Sequence, residues 1–148
     1  MKLNELIKES TIKLNVTATD KNSIIDEMID VLENDGIIRD RNKFKEDILK
    51  REALSNTGIG FGIAIPHAKS TEVNEPRIAV GIVKPGIDYG SIDGKDINMI
   101  FMIAVNDDQN DLHLKALANL SRRLIHEDFR NDLLNAESKE EILEMFSF

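Results

Sequence analysis

Apolar positions recur along this chain with two different periods, and the switches between them mark its elements. Leu3, Leu6 and Ile7 fit one helical turn, and Ile12-Lys13-Leu14 alternates as a short strand does. Ile24, Ile25, Met28, Ile29, Val31 and Leu32 fall at helical spacing behind a capping Thr19 or Asp20, and Asn34-Asp35-Gly36 stops that helix. The spacing predicts a second helix from about Arg41 to Leu54, with Phe44, Ile48 and Leu49 inward and a charged, solvated outer face. Residues 58–69, GIGFGIAIPHAK, read as an extended segment. On it Gly58, Gly60 and Gly62 share one face that admits a close neighbour. Arg77–Lys84 reads as a strand closed by a Pro85-Gly86 turn, Asp88-Tyr89-Gly90 and Asp93-Gly94 as loops, and Ile97–Val105 as a largely buried strand. A helix follows over Asp111–Leu124, capped by Asn110 or Asp111, with Leu114, Leu117, Ala118, Ser121, Leu124 and Ile125 as its packing stripe. Glu127–Leu134 and Ser138–Phe146 make two short amphipathic helices, and Ser138-Lys139-Glu140-Glu141 has the form of a capping box.

Composition narrows the possibilities. The 148 residues suit one domain, spanning 1–148, with enough length for a real core. Hydrophobic residues at 41% and charged residues at 31% are those of a soluble globular protein. Lys+Arg 19 against Asp+Glu 27 leaves a net charge of −8, which argues against nucleic acid as a partner. A negative surface favours positively charged protein partners. With no cysteine, disulfides and thiolate metal sites are excluded. No apolar run approaches the ~20 residues of a membrane helix, and the N-terminal MKLNELIKES lacks a signal-peptide core, so a cytoplasmic location is expected.

Three residues stand out as candidate chemistry. His67 follows Pro66, which fixes its own φ and pushes Ile65 towards extended geometry. An imidazole presented at such a strand end titrates near ~6.5 and offers a neutral nitrogen as base, metal ligand or covalent acceptor. An ordinary strand-end histidine is the bland alternative. His113 falls in the first turn of a helix, where the positive end of the helix dipole keeps an imidazole neutral and free backbone N–H groups form an anion site. There it can donate to a phosphoryl oxygen or orient His67; a partly buried core histidine is the alternative. Arg51, near the end of the second helix, is equally readable as a surface arginine favourable at a helix C-terminus.

Residues 51–68, REALSNTGIGFGIAIPHA, resemble the active-site signature of enzyme IIA domains of the fructose/mannitol type, from the bacterial phosphoenolpyruvate-dependent sugar phosphotransferase system. Glu52 matches its acidic or amide position. Ile59-Gly60 matches its aliphatic-small pair, and Ile63-Ala64-Ile65-Pro66-His67-Ala68 its aliphatic-Ala-aliphatic-Pro-His-small run. The resemblance extends to Asp111-Leu112-His113-Leu114-Lys115-Ala116-Leu117, which has the form of the family's second histidine segment, and covers essentially the whole chain. It implies an α/β fold in a single domain, with a mixed β-sheet flanked by helices on both faces. It implies that His67 accepts the phosphoryl group, that His113 stabilises or orients it, and that Arg51 contacts its oxygens, a task that suits a guanidinium's paired donors. The implied partners are the histidine-containing phosphocarrier protein as donor and an enzyme IIB domain as acceptor, linking the protein peripherally to a membrane permease of IIB and IIC parts. No metal, nucleotide or other cofactor is implied.

Other chemistry is set aside. The spacing of Gly58, Gly60 and Gly62 is not that of a dinucleotide fingerprint, and no P-loop lysine motif exists. A zinc site from His67, His113 and a carboxylate lacks a supporting ligand pair. No serine stands in a nucleophile elbow. His126 and Lys69 read as solvated surface residues. The alternative function, from the same family, is a nitrogen-type regulator that controls partner proteins through its own phosphorylation state.

Overall fold

In this computed structural model, which describes residues 2–147, the molecule is built around β6 (Ile97–Val105). Eight of its nine residues are buried, because helices cover both faces of the sheet at this strand. β5 (Arg77–Ile87) runs antiparallel beside it, and β1 (Ile12–Lys13) extends that side as a parallel neighbour of β5. On the other side β3 (Ile63–Ala64) lies parallel to β6 and carries β2 (Gly58–Gly60) antiparallel at the edge. The order is β1-β5-β6-β3-β2. β4 (His67–Lys69) also pairs with β6 in parallel, further along at Ile103–Val105. Pro66 divides β3 from β4: it has no N–H to give, yet its carbonyl still accepts from Ile103 N–H at 3.0 Å.

Two cores result. α1 (Lys21–Asn34) and α2 (Arg41–Leu54) cover one face, packing Ile24, Met28, Leu32, Phe44 and Ile48 on Ala79, Ile100, Met102 and Ala104. α3 (Asn110–Leu124), α4 (Glu127–Asn135), α5 (Lys139–Met145) and two 3-10 turns at Leu3–Glu5 and Glu9–Thr11 cover the other, around Phe101, Ile103, Leu120 and Phe146. Each large apolar side chain so buried contributes about 1.5–3 kcal/mol. The mixed sheet with helices on both faces is the architecture expected. The caps hold as well: Asp20 accepts from Ser23 N–H at the start of α1, and Ser138 from Glu141 N–H at the start of α5, each worth about 1 kcal/mol.

Five local expectations are corrected. The three glycines do not line one face of a single strand. Gly60, Phe61 and Gly62 all have positive φ (98°, 58° and 76°), so the chain turns there and β2 folds back on β3 as a hairpin. Pro85-Gly86 does not end a strand: β5 continues to Ile87 through a bulge in which Gly86 takes φ +83°. On α2 only Phe44 and Ile48 are buried, and Leu49 turns a third of its surface or more outward. On α3 the buried face is His113, Ala116, Leu120 and Leu124, while Leu114 and Ile125 are exposed. The helix is rotated by about one residue from the expected stripe, so that Ala116 and Leu120 face the sheet. Its N-cap is Gln109, and neither Asn110 nor Asp111 caps it.

Gly62 needs both its φ and its missing side chain, since a Cβ there would meet Asn98 Oδ1 at 2.7 Å; Gly94, with φ +73°, has open space. Gly62→Ala is therefore expected to cost about 2–3 kcal/mol and Gly94→Ala about 1 kcal/mol. Urea unfolding of the two variants measures this, and equal losses would contradict the hairpin geometry.

Candidate functional site

His67 is the first residue of β4, and its ring is fixed by the chain just before it. Nδ1 lies 2.7 Å from the carbonyl oxygen of Ile65. A carbonyl only accepts, so Nδ1 carries the proton and the lone pair of the neutral ring sits on Nε2. Pro66 makes this bond geometrically simple, because it holds the turn between the two residues rigid. Burial pushes the His67 pKa below its ordinary value, and Arg51 pushes the same way; the Ile65 bond and Glu52 oppose them. The ring is thus neutral at cell pH.

The start of α3 places His113 against it. The two ring centroids are 5.1 Å apart with planes tilted by 42°. The pair lies just beneath the surface: His67 keeps 7% of its area exposed and His113 8%. His113 Nε2 is buried and has no hydrogen-bond partner within the protein. Its pKa falls to about 4, through burial first and then the fields of His67, Lys69 and Arg51. The N-cap Gln109 gives no side-chain bond to the opening amides of α3. Asn110 instead accepts from Lys69 Nζ at 2.8 Å, which ties β4 to α3 and holds a lysine beside the two rings.

Arg51 stands in the last turn of α2, where its guanidinium donates to the Ser55 carbonyl at 3.2 Å. That bond leaves most of its donors free, and its charge reaches both imidazoles. Next to it Glu52 is buried among polar partners. It pairs with Lys21 Nζ at 2.9 Å, accepts from Tyr89 O–H at 3.0 Å and from Thr57 N–H at 3.3 Å, and bonds the Thr57 hydroxyl. Burial pushes the Glu52 carboxyl up, but the bonds from Thr57, Lys21 and Tyr89 outweigh it and leave the group below its ordinary pKa. Tyr89, itself buried, has its phenol pushed well above the usual value by burial and by Glu52, so it stays a donor. Among the described residues no group of three or more His, Asp or Glu converges as a metal site.

An Nε2 that carries the lone pair, a second neutral imidazole and fixed cations are chemically suited to an anionic group. The family model described as phosphoenolpyruvate-dependent sugar phosphotransferase system, EIIA 2, matches residues 5–148. The chain belongs to this family. Members of the EIIA family are phosphotransferase components that take phosphate onto a histidine and hand it on. The chain is 48% identical over 147 residues to the PTS system fructose-specific EIIABC component of Bacillus subtilis, covering 99% of this chain and 23% of that protein. It therefore spans about a quarter of that relative. It is 38% identical over 136 residues to the PTS system fructose-specific EIIA component of Haloferax volcanii, covering 92% and 88% of the two chains. Among solved structures, Nitrogen Regulatory Protein IIA-Ntr from Neisseria meningitidis superposes with a TM-score of 0.90 at 26% identity, over 97% of this chain and 98% of that one. The complex of enzyme IIAMTL and phosphorylated enzyme IIBMTL from Escherichia coli matches with a TM-score of 0.81 over 96% and 99%; its 22% identity shows the EIIA fold alone.

The structure thus brings together His67, His113 and Arg51, which lie on three different elements. Lys69, expected to be merely solvated, is exposed but bonded to Asn110. His126 is exposed, at the N-cap of α4. Thr57, Tyr89 and Lys21 were missed, and nothing in their local patterns marks them. Glu52 had a signal beyond the signature: it follows Phe44 and Ile48 at intervals of four, so it lies on the buried face of α2.

The depressed His113 pKa is a statement about stability. An imidazole whose folded pKa lies below its unfolded ~6.5 stabilises the fold above that pH, and the contribution is lost as pH falls from ~6.5 to about 4. The full loss is about 3 kcal/mol. Urea unfolding between pH 7 and pH 4 is expected to show this slope, and His113→Asn to flatten it. An unchanged slope in the variant would contradict the buried neutral ring.

Proposed function

We propose that this EIIA domain is a phosphoryl carrier: Nε2 of His67 accepts phosphate from the histidine-containing phosphocarrier protein and passes it to an enzyme IIB domain during sugar uptake. The observation that carries the reading is the Nδ1–Ile65 bond, which leaves Nε2 as the nucleophile beside a second neutral imidazole. In the step itself the Nε2 lone pair attacks phosphorus, the donor's P–N bond breaks, and its electron pair returns to the donor ring. Nδ1 keeps its proton throughout. Exchange between similar nitrogen nucleophiles is nearly balanced, so the protein's part is position and charge stabilisation. Arg51 offers paired donors to the phosphoryl oxygens, and the uncapped start of α3 adds oriented amides. His113, neutral throughout, donates to an oxygen without adding a charge that would hold the phosphate back.

The fructose-specific relatives support transport as the role and fructose as the sugar class. The cytoplasmic side is where a relay fed from phosphoenolpyruvate works, with IIB and IIC parts carrying it to the membrane. The match to IIA-Ntr favours a second reading, a regulator read by its phosphorylation state, but at lower identity than the fructose relatives.

Incubation with labelled phosphoenolpyruvate and the general phosphotransferase proteins tests the proposal. The label should be acid-labile and base-stable, and absent in His67→Ala. Arg51→Ala should slow transfer by about 10²- to 10³-fold, with Arg51→Lys restoring only part of it. His113→Ala should accept phosphate slowly and pass it poorly to IIB. Label surviving in His67→Ala, or wild-type behaviour of His113→Ala in both half-reactions, would overturn the assignments. A regulator would accept the label yet give none to the cognate IIB.

A further inference from the structure

A continuous line of hydrogen bonds joins the buried Glu52 to the ring of His67. The Glu52 carboxylate takes both the N–H and the hydroxyl of Thr57. The Thr57 carbonyl accepts from Ile65 N–H at 2.9 Å. The Ile65 carbonyl accepts from His67 Nδ1 at 2.7 Å. Every bond in the line points the same way, with donors facing Glu52, so the line fixes Thr57 and Ile65 in place between the carboxylate and the ring while the charge itself acts through space. At its far end Glu52 is tied to α1 by Lys21, whose ammonium also lies 4.6 Å from the centre of the Tyr89 ring. The Glu52 side chain is only 6% exposed, while that of Lys21 is 33% exposed.

We infer that Glu52 is a positioning residue for His67, acting through Thr57 and Ile65 to hold the Nδ1–H tautomer and set a negative charge behind the ring that opposes Arg51. This inference rests on the phosphoryl-carrier reading for its consequence, though not for its geometry. A buried carboxylate behind the acceptor works against holding a phosphate dianion. It has a use in a relay. Cations alone would bind phosphate on His67 too firmly, and a carrier must release what it accepts. A fixed negative charge, screened on its far side by Lys21, raises the energy of the phosphorylated state while keeping the nucleophile oriented. The charged groups that act on His67 are Arg51 and Glu52 from α2, those that act on His113 are Lys69 from β4 and Arg51, and Lys21 from α1 reaches His67 only by screening Glu52.

Two variants separate this role from simple support of the fold. Glu52→Gln and Lys21→Met both break the same ion pair, so a merely structural effect moves them together. The charge they remove has opposite sign. Glu52→Gln is expected to lower the His67 titration midpoint by about half a pH unit, and Lys21→Met, which unscreens Glu52, to raise it by a smaller amount. The equilibrium for phosphoryl exchange with the phosphocarrier protein should shift about threefold towards phospho-His67 in the first and by a smaller factor away in the second. Assigned two-dimensional NMR spectra of the imidazoles give the midpoints without any phosphoryl donor, so they can fail while His67 phosphorylation stands, and the reverse. Lys21→Met removes a partly exposed side chain and carries the test alone should Glu52→Gln not fold. Midpoints that shift in the same direction, or a Lys21→Met midpoint unmoved or lowered, would overturn the inference.

Discussion

One hydrogen bond organises the site: His67 Nδ1–H to the Ile65 carbonyl at 2.7 Å. It leaves the ring's lone pair on Nε2, and it is set by backbone rather than by a mobile side chain. The bond spans two residues with proline between them, so the ring cannot relax without disturbing the sheet. That sheet is firm here because β3 ends and β4 begins on the same parallel partner, β6, with Pro66 bridging through its carbonyl. The hairpin of β2 and β3, with three successive positive-φ residues, brings Thr57 within reach of Ile65 and completes the support.

Burial and the nearby cations then act in the same direction. Just beneath the surface, both imidazoles lose solvation and stay neutral. A neutral His67 can attack phosphorus; a neutral His113 can donate to an oxygen without adding a charge of its own. Arg51 beside both rings and Lys69 beside His113 also hold them in their uncharged forms, and the same positive charges suit an incoming anion. One electrostatic arrangement therefore serves both the ground state and the transfer. The chain as a whole carries −8, so this local positive field stands against an acidic background.

Much of this was legible in the sequence, and the rest failed for identifiable reasons. β6 and α1 announced themselves because their apolar residues are long and regular runs, buried by layers on both sides of the sheet. The segment 58–69 reads from its pattern as one extended stretch, whereas the chain turns within it. Alternating glycines fit a strand face and a tight hairpin equally well, and only pairing distinguishes them. The stripe of α3 was displaced by one position because leucines outvoted Ala116, although the small residue is the one that faces the sheet. That rotation is what buries His113. The Glu52 network was invisible as a network: Lys21, Thr57 and Tyr89 lie up to 37 residues from Glu52 and come together only in the fold. Charged and hydroxyl residues of this kind carry no periodic signal, even when one of them sits in phase with the core.

The tautomer of His67 is the most direct point of attack on the whole account. Nitrogen-15 NMR of the ring in the unphosphorylated protein distinguishes a protonated from a lone-pair-bearing nitrogen. The account predicts the proton on Nδ1 in the free protein and, once phosphorylated, coupling of phosphorus to Nε2 with Nδ1 still protonated. A proton on Nε2, or phosphorus on Nδ1, would contradict it.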